Sequence, residues 1–88
     1  MAATGADGAA TVSAAATRRN ARKELARLDR SLDKLRQREQ RLHEELAEAA
    51  ADHERVLALD TELRALVAER HALEERWLAL AELAEKPG

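Results

Sequence analysis

The sequence has no cysteine, phenylalanine or tyrosine, and its 88 residues include one tryptophan, one proline and three glycines. Without cysteine the chain can form neither a disulfide framework nor a thiolate metal site nor a thiol nucleophile. The glycines stand at positions 5, 8 and 88, so no glycine-rich phosphate loop is present. No apolar run approaches the roughly 20 residues that a membrane-spanning helix needs. Disulfide-stapled domains, phosphate-loop nucleotide sites and membrane spans are therefore not expected.

The residues that are present favour helices. Alanine and leucine supply nearly all of the 45% hydrophobic content, and 36% of the residues are charged. Alanine and leucine are strong helix formers, whereas strands favour the β-branched and aromatic residues that are scarce here. This composition is typical of a coiled coil or a long helix. A chain this short holds one domain and cannot enclose a deep catalytic core.

Candidate catalytic and metal-binding residues are few. The histidines stand at 43, 53 and 71, and none follows a glutamate by three residues, so the helical motif of di-metal sites is missing. Ser13 and Ser31 have no plausible triad partners. We therefore expect no catalytic, cofactor-binding or metal-binding residue in this chain, and no enzyme activity.

Residues 1–17 differ in composition from the rest of the chain. They are mostly alanine, threonine, glycine and serine, and Asp7 is their only charged side chain. Small side chains bury too little surface to offset chain entropy, so we predict a flexible, disordered linker or tail. The stretch lacks the basic region and the continuous apolar stretch of a signal peptide, which favours the cytoplasm.

From residue 18 onward, two runs of apolar residues follow the 3-4 spacing of a heptad repeat, which predicts two helices. Glu39 and Arg70 stand where the two runs are interrupted. The predicted seam residues of the first run are Leu25, Leu28, Leu32, Leu35, Leu42 and Leu46. Those of the second run are Leu59, Leu63, Leu66, Leu73, Trp77 and Leu80.

The two runs do not share one heptad frame, because one step between Leu46 and Leu63 is a residue too short. Either a locally overwound continuous coiled coil or a turn explains the break. Asp52 is suited to cap a second helix, and Pro87 with Gly88 would end it. We predict an all-α, two-helix antiparallel coiled-coil hairpin over residues 18–86, with helix 1 at about 18–50, the turn at about 51–54 and helix 2 at about 55–85.

The distribution of charge favours the hairpin over a continuous helix. Residues 18–41 carry ten basic and four acidic side chains, a net of +6, whereas residues 42–88 carry five basic and twelve acidic ones, a net of −7. A basic helix folded back on an acidic one gains from this complementarity, whereas parallel pairing of one long helix would set like charges together. A parallel dimer of one long helix remains the alternative.

Two polar residues in the seam predict a specific register. With the turn centred near residues 52 and 53, Glu39 and Arg70 fall in adjacent layers, and we hypothesise that they reach each other. The alternative is that both lean unpaired into solvent. Arg38 with Glu69 is a further predicted pair, and Trp77 is predicted to pack in the core.

The start of the first helix is strongly basic, with several side chains at i, i+4 spacing. Such stripes can follow a phosphate backbone and release counterions, although they also balance the acidic helix. No aromatic residue lies among them, so any contact would be with phosphates and largely blind to base sequence. The predicted nucleic-acid-binding residues are Arg18, Arg19, Arg22, Lys23, Arg27, Arg30 and Lys34.

The chain resembles the C-terminal coiled-coil domain of ABC-F ATP-binding cassette proteins of the Uup type. The resemblance covers about residues 22–85, and the Arg76-Trp77 pair is its most specific element. It is carried by Arg22-Lys23-Glu24-Leu25 through Leu46, by Leu59-Asp60-Thr61-Glu62-Leu63, and by Leu73-Glu74-Glu75-Arg76-Trp77-Leu78.

The resemblance implies an accessory hairpin tethered behind two ATPase cassettes in a soluble protein without transmembrane domains. Members of the family act on ribosomes, and the Uup-type tail is associated with DNA binding. The implied partners are DNA or ribosomal RNA and the ABC ATPase domains of a parent chain, with the seven basic residues as the contacts. ATP and magnesium would belong to that parent, so no cofactor is expected in this chain.

A structural interaction module is the alternative function. In this interpretation the acidic helix and the leucines outside the seam, Leu57, Leu78 and Leu83, bind protein, with no nucleic-acid role. A hairpin buries only one stripe per helix, so self-association as a homodimer would add to a marginal fold.

Overall fold

The computed structural model contains two long helices, α1 over Ala2–Glu48 and α2 over His53–Glu85. It describes the backbone of residues 2–85 and the side chains of residues 13–85. Within that part of the chain no strand is present. The prediction of an all-α, two-helix hairpin is confirmed.

The helices run antiparallel along their shared length. Side-chain hydrogen bonds join Arg38 to Glu62, Glu39 to Arg70 and Glu24 to Arg76, so residue numbers rise on one helix as they fall on the other. The molecule measures 75 × 16 × 14 Å. A single continuous helix of this chain would be roughly 130 Å long at about 1.5 Å per residue, which excludes that alternative for the monomer.

The turn occupies residues 49–52, two residues earlier than predicted. The side chain of Asp52 explains its position, because its Oδ1 accepts a hydrogen bond from the backbone N–H of Arg55 at 3.2 Å. The carbonyl of Asp52 accepts the first helical hydrogen bond, from Val56 at 3.0 Å. Asp52 is therefore the N-cap of α2, and Glu54 lies in its first turn, where a negative charge is favourable.

The first helix begins earlier than the predicted start near residue 18. Residues 13–17 continue α1 without a break, and its backbone is helical from Ala2. Alanine, the strongest helix former, is abundant in this stretch and accounts for the difference. The sequence predicted a flexible, disordered tail over residues 1–17. The structure gives a helical backbone from Ala2, and the flexibility of this segment stays a prediction. The helix stop predicted at Pro87 and Gly88 also lies outside the described residues.

The seam between the helices is thin. Leu28, Leu32, Leu42 and Leu59 are buried, as are the small residues Ala21, Ala49 and Ala84 at the ends of the seam. The other predicted seam residues, including Trp77, Glu39 and Arg70, are half-buried. Near the turn, one cluster forms around Leu42, Ala49 and Leu59, with Leu46, Val56, Leu63 and Leu66 packed against it. Within residues 13–85 no large side chain is fully buried, so each layer excludes water only in part.

Candidate nucleic-acid interface

The seven predicted nucleic-acid contacts lie together on the first part of the paired region of α1. With about 100° of rotation per residue, most of them project from the side of the helix opposite the seam. The residues of this outer stripe are Arg19, Lys23, Arg27, Arg30 and Lys34. Arg18 and Arg22 lie closer to the seam on one side. The outer stripe is about 22 Å long, from 15 residues at 1.5 Å each.

These basic side chains are accessible and not engaged by carboxylates. Six of the seven are exposed, and Arg18 is half-buried. Among the residues with described side chains, none of the seven takes part in an ion pair. Elsewhere among residues 13–85, Arg41 and Arg55 have no carboxylate partner, whereas five arginines do, namely Arg36, Arg38, Arg64, Arg70 and Arg76.

Two of the acidic residues between the basic ones, Glu24 and Asp29, are turned toward α2, whereas Asp33 is exposed on α1. Arg76 Nε donates to Glu24 Oε1 at 2.9 Å, and Arg76 Nη2 makes a second short contact with the same oxygen. Trp77 Nε1 donates to Asp29 Oδ1 at 2.8 Å. Both carboxylates are thus engaged at the edge of the seam, away from the outer stripe. Arg76 thus balances the charge of Glu24, whereas Asp33 leaves one exposed negative charge within the basic segment.

The other two acids of the basic segment also have partners. Arg70 Nε donates to Glu39 Oε2 at 2.6 Å and its Nη1 donates to Glu74 Oε1 at 2.6 Å. The structure thus brings Glu39 and Arg70 together, with side chains that are 12% and 23% exposed. The hydrogen bond to Glu39 raises the pKa of Arg70, and burial opposes this rise. Asp33 lies 3.7 Å from Arg36 on the same helix.

The predicted pair of Arg38 with Glu69 is replaced by another partner. Arg38 Nη2 donates to Glu62 Oε1 at 2.5 Å, one heptad closer to the turn than Glu69. This hydrogen bond raises the pKa of Arg38 above its usual value. Glu62 and Glu69 lie one heptad apart on the same edge of α2, and Glu62 is the one at the level of Arg38 along the helix axis.

Trp77 is only partly a core residue. It is half-buried in the seam, as predicted from its heptad position, but its indole N–H reaches the edge of the hairpin to bond Asp29. Sequence reasoning missed this contact and the Glu24–Arg76 pair. The Trp77–Asp29 contact could have been predicted from the chemistry of tryptophan. A tryptophan in a coiled-coil seam carries an N–H donor, and that donor needs an acceptor on the facing helix.

Clusters of metal-ligating side chains and membrane-spanning helices are both absent from the described region. Over residues 13–85, no three histidine, aspartate or glutamate side chains are grouped so as to hold a metal ion. Neither helix, as far as residues 2–85 are concerned, combines the length and apolar character needed to cross a membrane.

Comparison with known families identifies the hairpin. Residues 17–82 match the family described as the ABC transporter C-terminal domain. The match spans the basic segment, the turn and nearly all of α2, so the chain belongs to this family. Neither the curated proteins nor the solved structures gave a significant match. The family is a C-terminal accessory domain, and this chain is accordingly a non-catalytic, two-helix unit.

Proposed function

We propose that this hairpin is the nucleic-acid-contacting accessory domain of an ABC-F ATPase. It contacts DNA or ribosomal RNA through the basic face of α1, by which we mean the outer stripe together with Arg18 and Arg22. The observation that carries the proposal is the group of seven basic side chains without carboxylate partners among residues 13–85. Phosphates are the ligands such a face attracts, through charge and the release of condensed counterions.

The arrangement of the acidic residues supports the proposal. Glu24 and Asp29 interrupt the basic segment in sequence, yet both are held at the seam by Arg76 and Trp77 of α2. A phosphate chain that follows the outer stripe therefore meets positive charge without an intervening free carboxylate at these two positions. α2 would face away from the nucleic acid, since its net charge is negative.

The contact would be insensitive to base sequence. No aromatic side chain lies among the basic residues, and Trp77 is half-buried on the other helix with its N–H bonded to Asp29. Contacts to phosphates position a protein on nucleic acid, whereas contacts to base edges specify sequence. The hairpin would thus tether its parent to nucleic acid without selecting a sequence.

The wider setting is part of the same proposal. The parent chain would carry the two ATPase cassettes, together with the ATP and magnesium that they use, and would work in the cytoplasm. The family assignment supports the link to an ABC protein. The resemblance of residues 22–85 to the Uup-type tail supports the ABC-F subgroup.

A salt titration with duplex DNA and with a structured RNA tests the proposal. For duplex DNA, the logarithm of the binding constant should fall linearly with the logarithm of salt concentration, with a slope of about −0.9 per phosphate contacted. Replacing Arg22, Lys23, Arg27 and Arg30 with glutamine should reduce the slope by up to about 3.6 or abolish binding. Helicity by circular dichroism should stay unchanged, because all four side chains are exposed.

A matched pair of double variants separates the face of α1 from overall charge. Arg22→Gln with Arg27→Gln removes two charges from the proposed interface and should lower the slope by about 1.8. Arg55→Gln with Arg64→Gln removes two exposed charges from α2 and should leave it unchanged. Equal effects of the two double variants would contradict binding through α1. Failure of the wild-type hairpin to bind at low salt would refute the proposal and favour the purely structural interaction module.

A further inference from the structure

The outer surface of α2 differs in kind from that of α1. Three large apolar side chains are exposed, Leu57 at 55%, Leu78 at 64% and Leu83 at 42%, and all three lie on α2. Over residues 13–48, α1 exposes no large apolar side chain. Isolated exposed leucines are ordinary on protein surfaces, so exposure alone assigns no role. Leu78 borders a concavity in the described part of the chain.

A groove of about 300 Å³ opens beside Leu78 on one edge of the hairpin. Trp77 is half-buried within it and is fixed by the 2.8 Å hydrogen bond from its Nε1 to Asp29 Oδ1. The groove is not the basic face, since its walls are formed by the two helices where they meet. Its lining residues are Asp29, Leu32, Arg36, Glu74, Trp77 and Leu78. We call it the Trp77 groove.

The chemistry of the groove selects a cation with an apolar stem. Asp29 and Glu74 line it beside one tryptophan ring and one exposed leucine. Glu74 already accepts from Arg70 Nη1 at 2.6 Å, whereas Asp29 accepts only from the neutral indole N–H of Trp77 among residues 13–85, so Asp29 is the carboxylate left for a ligand cation. Its only lining cation, Arg36, lies 3.7 Å from Asp33. Lysine and arginine pack their methylene stems on apolar surface while the charged head stays near acceptors, and both are attracted to the face of tryptophan.

The surrounding charge on α2 points to the same occupant. Between residues 71 and 85, α2 carries four glutamates and one arginine, and that arginine, Arg76, is bonded to Glu24. Glu75 and Glu82 are exposed, and neither takes part in an ion pair within residues 13–85. A nucleic acid would be repelled by this segment, whereas a basic protein segment would be attracted to it.

We propose that the Trp77 groove is a docking site for a basic amphipathic segment of a partner protein, which places an arginine or lysine side chain against Asp29 and Trp77 and packs an apolar residue on Leu78. The partner would lie along the edge of α2, away from the outer stripe of α1. The hairpin would then join a basic protein through one surface and nucleic acid through another. The proposal does not depend on the nucleic-acid role, because the two surfaces share no residue.

The single tryptophan makes the groove directly observable. A synthetic amphipathic helical peptide of leucine and arginine serves as the probe, and its twin with glutamate in place of arginine serves as the control. Titration of the hairpin with the arginine peptide should shift the emission of Trp77, and its affinity should exceed that of the twin at least about tenfold. Equal binding of the two peptides would overturn the proposal.

Matched variants locate the binding. Leu78→Ala should weaken binding of the arginine peptide about tenfold, whereas Leu57→Ala, which trims a similarly exposed leucine far from the groove, should have no effect. Asp29→Asn removes the charge but keeps an oxygen that can accept from Trp77, and it should also weaken binding. Equal losses in the two leucine variants would overturn the proposal. So would self-association of the hairpin that Leu78→Ala abolishes in sedimentation, because a second copy would then be the occupant.

Discussion

Both halves of the hairpin bury apolar residues, with Leu28 and Leu32 toward the open end and Leu42 and Leu59 near the turn. Within residues 13–85, most of the polar contacts between the helices lie in the open half. Near the turn, Leu42, Ala49 and Leu59 form the centre of an apolar cluster. Toward the open end, Arg70 bonds Glu39, Trp77 bonds Asp29 and Arg76 bonds Glu24. The fourth residue pair that side-chain hydrogen bonds join across the helices within residues 13–85, Arg38 with Glu62, lies at the boundary between the two halves.

In this thin coiled coil, apolar burial supplies most of the stability, and polar contacts specify the register of the helices. Burial of a leucine contributes roughly 1.5–3 kcal/mol, whereas an exposed ion pair contributes roughly 0–1 kcal/mol. Leucine layers, however, pack almost as well when one helix slides by a heptad. Directional hydrogen bonds between unlike residues do not survive such a slip. The buried leucines of both halves therefore stabilise the fold, and the polar contacts of the open half fix which residues face each other.

Removal of a buried leucine from the turn-side cluster should give the largest effect. Leu42 is 4% exposed, and Leu42→Ala should lower the free energy of unfolding by about 2–5 kcal/mol. Leu57→Ala, at a residue that is 55% exposed, is the control and should change stability little. Chemical denaturation followed by circular dichroism measures both. A small loss for Leu42→Ala would mean that leucine burial is not the main source of stability.

Loss of the Glu39–Arg70 contact should lower the free energy of unfolding less than Leu42→Ala does, but it should disturb the register of the two helices more. Each glutamine variant should destabilise the hairpin, and the double variant should cost less than the two singles together, so that a double-mutant cycle gives favourable coupling. The exposed Asp60–Arg64 pair, with N···O at 3.0 Å, is the comparison cycle and should couple more weakly. Coupling no larger than that of the exposed pair would contradict a role for the polar layer.

The effect on register can be measured separately. Because the chain has no cysteine, spin labels at Ser31→Cys and Ala72→Cys report one distance without interference. That distance should be narrowly distributed in the wild-type seam and broader when Glu39 and Arg70 are both replaced by leucine. An equally narrow distribution in the leucine variant would show that other contacts fix the register.

The cap of α2 should give the smallest of these stability effects. Asp52→Ala removes the acceptor of the Arg55 N–H and should cost about 0.5–2 kcal/mol, as other N-cap substitutions do. Asp52→Asn, which keeps a capping oxygen, should recover most of the loss. Thermal unfolding of both variants tests this. Equal melting temperatures for Asp52→Ala and the wild type would show that the Asp52 side chain does not stabilise the start of α2.

The apolar seam was predictable because it depends only on spacing. The heptad runs, the break between them and the capping residue Asp52 are all properties of the sequence, and together they predict a hairpin to within two residues of its observed turn. The contact of Glu39 with Arg70 was also within reach, since both residues interrupt a seam in adjacent layers. The exposure of the outer stripe of α1 was predictable as well, because residues on the side of a helix opposite the seam face solvent.

The edge contacts were not predictable from spacing alone. The residue numbers of Arg38 with Glu62 and of Glu24 with Arg76 both sum to 100, whereas the predicted core layers sum to about 105. Side chains lean along their helices, so an edge pair is offset from the layer beside it. The early start of α1 was missed for a different reason, because a low-complexity alanine-rich stretch is compatible with either a helix or a tail.

The absence of a fully buried large side chain within residues 13–85 has a kinetic consequence. The formation of each layer contributes only a small part of the free energy of folding. The facing residues become more distant in sequence away from the turn, and the separation reaches 52 residues for Glu24 and Arg76. Ordering of the short loop comes first, and each later layer closes only after the one before it. The hairpin should therefore zip from the turn outward, and amide protons should exchange fastest at its open end and slowest beside Leu42 and Leu59.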